Sequence, residues 1–205
     1  DNQYYIDIIE GQKTGFFIDQ RDNRKLLENY CMNKKVLNVF GYTGGFSVAA
    51  LKGGADLVHS VDSSQKAIEL TNKNIELNFG QTDKHQSFAV DAFDFIDKMD
   101  DNYDVVVLDP PAFAKQLHLK EKGLKGYRNI NLKVIQKMKK GSILFTFSCS
   151  QAISKDDFRT MIFSAAALAG KELKILHQLS QGADHPVNIY HPESEYLKGL
   201  VLYID

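Results

Sequence analysis

From Val36 onward the chain alternates short apolar runs with longer stretches of helical period, and this regularity leaves few folds open. Val36–Phe40, Asp56–Val61, Gln86–Val90, Tyr103–Leu108, Ser142–Ser148, Glu172–Gln178 and Leu200–Ile204 read as strands, with helical patterns between the first six. Such succession predicts a mostly parallel sheet with helices on both faces, because each crossover helix must return the chain along the sheet before the next strand starts. The last two strand candidates are joined only by Gly182–Pro192, a stretch containing prolines and histidines, so the closing strand is expected to run antiparallel.

Ahead of this alternation, Gln3–Glu10 and Lys13–Asp19 are short runs of period two joined at Gly11-Gln12, which predicts a β-hairpin. Arg21–Tyr30 then reads as a helix. The organisation expected is a hairpin segment over 1–20 and one α/β domain over 21–205. A composition of 43% hydrophobic and 25% charged residues suits a domain of that size with a buried core. The sequence opens at Asp1 inside a strand pattern and without methionine, so a preceding segment is expected.

Phe40-Gly41-Tyr42-Thr43-Gly44-Gly45-Phe46-Ser47 falls where the first strand gives way to the helical run Val48–Leu51. In a doubly wound sheet that turn is where a nucleotide-like ligand sits, with glycines permitting close backbone approach and the helix N-terminus offering N–H groups to an anion. Asp62 follows the next strand about twenty residues later, where a carboxylate can accept from ribose hydroxyls. Asp91 follows the third strand, placed to bond an adenine amino group, and Asp109 follows the fourth. The plainer reading of each is an Asp that caps the following helix. A nicotinamide or flavin site would use the same architecture, but Tyr42 and Thr43 separate Gly41 from Gly44 and break the Gly-x-Gly-x-x-Gly spacing.

Asp109-Pro110-Pro111-Ala112-Phe113 forms a stiff lip at the end of the fourth strand, since consecutive prolines hold the backbone out of helix. Asp109 there can meet the edge of a flat nucleobase and Phe113 can stack on its face, although prolines after a strand also serve simply as a stop. Cys149, in Phe147-Ser148-Cys149-Ser150, ends the next apolar strand. Carbon 5 of cytosine accepts a methyl group only after a nucleophile adds at carbon 6, and a thiolate is both populated near neutral pH and able to leave again. Asp109 could then bond the base at nitrogen 3 and offset the charge that develops there. Cys149 as a small buried strand-end residue is the competing reading, and Cys31, in a helix-to-strand connector, is read as structural.

Gly15-Phe16-Phe17-Ile18-Asp19-Gln20-Arg21-Asp22-Asn23-Arg24, the segment Asn38 to Ser47, Asp109-Pro110-Pro111-Ala112-Phe113, Ser148-Cys149-Ser150, Asp184-His185-Pro186 and Tyr196-Leu197-Lys198-Gly199 carry a likeness to a known family. Over essentially the whole chain they resemble the bacterial and archaeal ribosomal large-subunit cytosine-5 methyltransferases that carry an N-terminal PUA domain. The resemblance implies a class I methyltransferase fold, Rossmann-like, with seven strands and the last reversed. It also implies S-adenosyl-L-methionine as methyl donor, ribosomal RNA as substrate, Cys149 as nucleophile, and Asp62, Asp91 and the Gly41–Gly45 turn as cofactor contacts. On this likeness Gln20, Arg21, Phe40, Gly41, Thr43, Gly44, Gly45, Ser63, Ala92 and Asp109 are the further candidates for the cofactor side, and Pro110, Pro111, Phe113 and Lys115 for the substrate side. Gln20-Arg21 resembles a segment that closes over the methionine end of the cofactor, while a helix-start role fits it equally; His185 is given no catalytic part. Family members place a PUA module and a hairpin domain before the catalytic domain.

A formal net charge of −1 means that any RNA contact must come from a local patch. Lys115 to Lys140 holds nine basic residues against Glu121 alone, whereas Asp91, Asp94, Asp97, Asp100, Asp101 and Asp104 crowd the stretch before it. The basic block is the candidate phosphate-binding surface, with a solvated helix face as its alternative. Cys31 and Cys149 show no Cys-x-x-Cys spacing and no histidine at ligand intervals, which argues against a disulfide framework or a metal site and fits a reducing cytoplasm. No apolar run reaches the roughly eighteen residues of a membrane span, so no membrane partner is expected. An uncovered hairpin edge would allow a homodimer. Three other activities share these features: guanine-N7 or other ring-nitrogen methylation, which uses the same Asp-Pro-Pro lip but needs no cysteine; cofactor binding without chemistry; and small-molecule methylation with the basic stretch as a lid.

Overall fold

The computed structural model describes residues 2–8, 15–100 and 102–205. Its strands are β1 (Lys35–Val39), β2 (Leu57–Asp62), β3 (His85–Ala89), β4 (Val105–Leu108), β5 (Ile143–Ser148), β6 (Leu173–Leu179) and β7 (Lys198–Ile204). The helices are α1 (Arg21–Glu28), α2 (Gly45–Lys52), α3 (Gln65–Phe79), α4 (Ala92–Lys98), α5 (Lys120–Lys137) and α6 (Lys155–Ala169). The strands form one sheet in the order β3-β2-β1-β4-β5-β7-β6. β1–β2 and β2–β3 pair in parallel, while β7 pairs antiparallel with both β5 and β6. This mixed seven-stranded α/β sheet is the fold expected from the alternation.

The chain divides into two compact units, Asp1–Phe95 with Val105–Val107, and Ile96–Asp104 with Leu108–Asp205. In the first, Val36, Leu37 and Val39 of β1, Val58 and Val61 of β2 and Val48 of α2 are fully buried. Strand β1 is buried at four of its five residues, so both of its faces are covered and it lacks a strict polar–apolar alternation. Helix α3 begins at Ser64, whose side chain accepts from the Ala67 N–H, and ends at Gly80 with φ +68°.

In the second unit Tyr127, Ile130, Val134 and Ile135 of α5 are fully buried, as are Leu144, Phe145 and Phe147 of β5, Val201 and Ile204 of β7, and Ala165 of α6. Helix α6 opens with a capping box, Ser154 accepting from the Asp157 N–H and Asp157 from the Ser154 N–H, and closes at left-handed Gly170. Strand β7 starts at Lys198, two residues before the apolar run that predicts it, and lies in register with Lys198 opposite Ser148 and Gly199 opposite Phe147. A Cβ on Gly199 would come within 2.6 Å of the Phe147 ring, so only glycine lets β7 pair that early.

The N-terminal segment differs from the strand pattern that its sequence suggests. Residues 2–8 carry no strand, and Ile18–Gln20 form a 3-10 turn leading into α1. The expected turn at Gly11-Gln12 lies outside the described residues. The period of two is real, but its partner is a helix: Gln3 exchanges backbone hydrogen bonds with the Asn78 amide, and Tyr5 with that of Asn74 one turn earlier on α3. Two asparagines spaced by a helical turn thus satisfy alternate residues of the segment, as a neighbouring strand would. Tyr4 and Phe16 pack with ring centroids 4.5 Å apart, and a Cβ on Gly15 would meet the Asp7 carbonyl oxygen at 2.5 Å, so the two arms lie together.

Candidate active site

The first unit carries the glycine turn. Its backbone is strained in a repeating way, with φ +61° at Phe40, +45° at Tyr42 and +80° at Gly44. For the two aromatic residues this costs about 1–2 kcal/mol each and persists only because neighbours hold it. The holding groups come from β2 and α3: Asp62 Oδ2 accepts from the Tyr42 N–H at 3.0 Å, Thr71 donates to the Tyr42 carbonyl at 2.7 Å, and Asn74 Nδ2 donates to the Thr43 carbonyl at 2.9 Å. The Gly41, Tyr42 and Gly44 N–H groups are taken up by the Val61 carbonyl, Asp62 and the Gly41 carbonyl, which leaves the first turn of α2 as the place where N–H groups can meet an anion.

Glycine is required at Gly44, where a Cβ would lie 2.8 Å from Thr71 Cγ2 in addition to the positive φ. At Gly45 the limit is Arg24, whose Cδ would stand 3.1 Å from an added Cβ. Arg24 is buried, donates to the Phe17 carbonyl at 2.7 Å and stacks 4.5 Å from the Phe16 ring centroid. Arg21, by contrast, is exposed and pairs with its neighbour Asp22. The cation beside the glycine turn is therefore Arg24, which sequence reading passed over; the helical spacing of three from Arg21 was the available signal. Gln20 is buried and accepts from Asn23 Nδ2 at 2.6 Å.

Asp62 also accepts from the Ser64 N–H at 2.9 Å, and Ser63 is exposed between them. Asp91 accepts through Oδ1 from Phe93 and Asp94, so it caps α4 as the plainer reading has it, and Ala92 is buried as the first residue of that helix. Capping occupies one carboxylate oxygen of Asp91. Under the turn, Asn38, Ser47, Ser60 and His85 form a chain of hydrogen bonds of 2.6 to 2.8 Å. Burial, helped by the His59 charge, pushes His85 down to about 4, so its ring is neutral at pH 7.

The second unit carries the lip and the cysteine. Asp109 and Cys149 are both half-buried, at the ends of β4 and β5. Pro110 is buried and Pro111 exposed. The lip and the cysteine turn are joined by a buried network: Ser150 Oγ accepts from the Ala114 N–H at 3.1 Å and stands 2.9 Å from Tyr127 Oη, which donates to the Pro111 carbonyl and accepts from the Phe113 N–H. Burial raises the Tyr127 phenol above its usual value, so it stays a neutral donor. Phe113 is half-buried with its ring 4.6 Å from that of Tyr127, which leaves it partly covered by α5. The lip comes this close because Gly123 faces it; a Cβ there would strike the Ala114 Cβ at 2.5 Å. Lys115 is exposed just beyond.

Below the same turn lies Lys198, 3% exposed, donating to the Ser150 carbonyl at 2.6 Å and the Tyr196 carbonyl at 2.7 Å. Tyr127 lies inside a basic helix where nothing marks it, and Lys198, although within the Tyr196-Leu197-Lys198-Gly199 segment that carries the family likeness, is given no role by it. Cys31 is fully buried, donates to the Leu27 carbonyl at 3.1 Å and is pushed up to about 12 by burial, then by Glu28, which makes it an inert core residue. His185 lies 3.2 Å from Asp184 at the surface. Among the described residues no group of histidine, cysteine and carboxylate side chains could hold a metal, and no helix is long and apolar enough to cross a membrane.

A seven-stranded sheet with a reversed last strand, a strained glycine turn opening onto α2 and an Asp-Pro-Pro lip defines the class I methyltransferase fold. A family model for S-adenosylmethionine-dependent methyltransferases matches residues 2–189, and the chain belongs to that family. Its cofactor is S-adenosyl-L-methionine, and the glycine turn, with its carbonyls drawn to α3, fits the carboxylate end of such a ligand. The chain is 44% identical over 200 residues to ribosomal RNA large subunit methyltransferase I of Aeromonas hydrophila, covering 96% of this chain and 50% of that one. The protein of the same name from Shigella dysenteriae is 43% identical over 197 residues, covering 95% and 50%. The chain thus spans about half the length of the curated relatives it matches. The crystal structure of SMU.776 complexed with SAH superposes with a TM-score of 0.87 at 26% identity, covering 98% of this chain and 53% of that one. TYW2 of P. horikoshii, 15% identical with a TM-score of 0.71 and coverage of 99% and 68%, shares the fold alone.

Proposed function

We propose that this chain is the catalytic part of a methyltransferase that forms 5-methylcytosine in ribosomal RNA, with Cys149 as nucleophile. The observation that carries the reading is the setting of Cys149: half-buried, in a turn whose next residue is tied to the Asp109–Phe113 lip through Tyr127 and Ser150. A nucleophile that must form and break a bond to a planar base needs this kind of fixed backbone. Its names in the relatives, ribosomal RNA large subunit methyltransferase I, support the RNA substrate.

The cofactor supplies an electrophilic methyl group on sulfonium sulfur. The Cys149 thiolate bonds to carbon 6 of cytosine and the ring's 5,6 electron pair becomes available at carbon 5, which would take the methyl group as its bond to the sulfonium sulfur breaks and a neutral thioether leaves. Loss of the carbon-5 proton to a base then returns the pair, the carbon–sulfur bond breaks and the thiolate is released. Asp109, at the base of the lip, is the residue to bond the base edge while negative charge builds on the ring. Gly41, Thr43, Gly44, Gly45, Asp62 and Asp91 are the residues to hold the cofactor, with Arg24 added to them.

The RNA backbone has a matching surface on the second unit. Of the basic block, Lys120, Lys133, Lys139 and Lys140 pair with Asp157, Asp97, Asp104 and Asp205, whereas Lys115, Lys122, Lys125 and Arg128 have no carboxylate within 4.0 Å among the described residues. Lys122, Lys125 and Arg128 line a groove of about 700 Å³ between α5 and α6, together with Glu121, Asp156 and Asp157, of which Asp157 is already paired with Lys120. Cations without protein partners are the ones available to phosphates.

The test is methylation of ribosomal RNA by wild type, Cys149→Ala and Asp109→Asn, with base mapping by mass spectrometry. Cys149→Ala is expected to abolish formation of 5-methylcytosine while cofactor binding persists. Methylation undiminished in Cys149→Ala, or methyl groups on a ring nitrogen, would overturn the reading in favour of a ring-nitrogen enzyme.

A further inference from the structure

An ammonium group buried away from water is costly unless an anion and hydrogen-bond acceptors surround it. Lys198 is 3% exposed and has two acceptors, the carbonyls of Ser150 and Tyr196, but among the described residues it has no carboxylate within 4.0 Å. The charged groups that act on it are Cys149, Glu195 and Asp157, with Lys155 opposing. Glu195 is already paired with Lys155, and Asp157 with Lys120 at 2.8 Å. Among the described residues, the largest negative influence on Lys198 comes from the sulfur of Cys149.

The backbone brings the two together. Lys198 lies opposite Ser148 in the β5–β7 ladder, and its Nζ reaches past that residue to the carbonyl of Ser150. Lys198 therefore meets the residue on each side of Cys149, Ser148 through its place in the ladder and Ser150 through its ammonium. Gly199, required by the close Phe147 ring, is what lets β7 begin at this position.

We propose that Lys198 is a positioning residue whose buried ammonium holds the Cys149 sulfur as a thiolate, ready to add to the base. The proposal rests on the reading of Cys149 as nucleophile and names the group that activates it. A proton leaves the thiol for solvent, and the resulting charge is met by an ammonium already in place. Burial lowers Lys198 to about 8, against the pull of Cys149, so it keeps its proton at pH 7.

The experiment follows alkylation of Cys149 by iodoacetamide between about pH 5 and about pH 10, reading the Cys149 peptide by mass spectrometry so that Cys31 does not contribute. Neither RNA nor methyl donor is needed, so the outcome is independent of whether cytosine is the acceptor. In wild type the rate is expected to titrate about one pH unit or more below the ordinary thiol value of about 8.5. In Lys198→Met the inflection moves up by about one unit or more, and Lys198→Arg brings it back down. A wild-type inflection at or above about 8.5 overturns the proposal without any variant. So does a folded Lys198→Met protein with an unchanged inflection. If thiol titration behaves as expected but Cys149→Ala still methylates RNA, the nucleophile reading fails and the Lys198–Cys149 pair stands as a property of the fold.

Discussion

Tyr127 Oη stands 2.9 Å from Ser150 Oγ, and through this contact helix α5 fixes the turn that carries Cys149. The same phenol holds the lip at the Pro111 carbonyl and the Phe113 N–H. Replacing Tyr127 by Phe keeps the ring against Phe113 and removes only the oxygen. The expected cost is about 1–3 kcal/mol, since several buried partners lose a hydrogen bond at once. A lowered denaturant midpoint with unchanged slope, together with a fall in methylation rate exceeding the loss of cofactor affinity, would bear this out. Wild-type stability in Tyr127→Phe would show that the network is not closed.

Asn74 is shared between the Thr43 carbonyl and Tyr5 of the N-terminal segment. Asn74→Asp preserves its shape but not its N–H donors, leaving the Thr43 carbonyl against a carboxylate. S-adenosyl-L-methionine affinity should drop about tenfold, an energy of about 1.4 kcal/mol, measured by calorimetry. Unaltered affinity would mean that the turn keeps its shape without α3.

Gly44 combines φ +80° with a close approach to Thr71. Gly44→Ala is therefore expected to destabilise by about 1–3 kcal/mol and to weaken cofactor binding, whereas Gly141→Ala, with φ +87° but open space around its Cβ position, should cost stability without touching the cofactor. Thermal melts with and without cofactor separate the two effects. Equal cofactor-induced shifts in both variants would count against a role for the close packing.

His85 is held neutral at about 4, well below its ordinary 6.5, by burial and by His59. Between those values the unfolded chain binds a proton that the folded chain refuses. Its contribution is complete above pH 6.5 and is lost as pH falls towards about 4. Unfolding free energy should thus decline across that window, and His85→Gln should flatten the decline. Identical slopes in both proteins would place the acid sensitivity elsewhere.

Local chemistry made much of this protein legible. The strand and helix order follows from apolar runs and their periods: fully buried β4 is apolar throughout, whereas the more exposed β3 and β6 mix polar with apolar residues. Glycines at positive φ, aspartates at strand ends and a paired-proline lip are likewise imposed by the immediate backbone, and they appear wherever such a backbone is built. What sequence alone could not give were partners distant along the chain. The period of two at Gln3 and Tyr5 suggests a neighbouring strand, yet Asn74 and Asn78 of a helix meet it, because any donor and acceptor at the right spacing satisfies an extended backbone. Arg24 instead of Arg21, Tyr127 inside a basic helix and Lys198 buried at the start of β7 were decided by packing. A side chain's charge is written in the sequence, but whether water or another residue surrounds it is set only when the chain has closed around it.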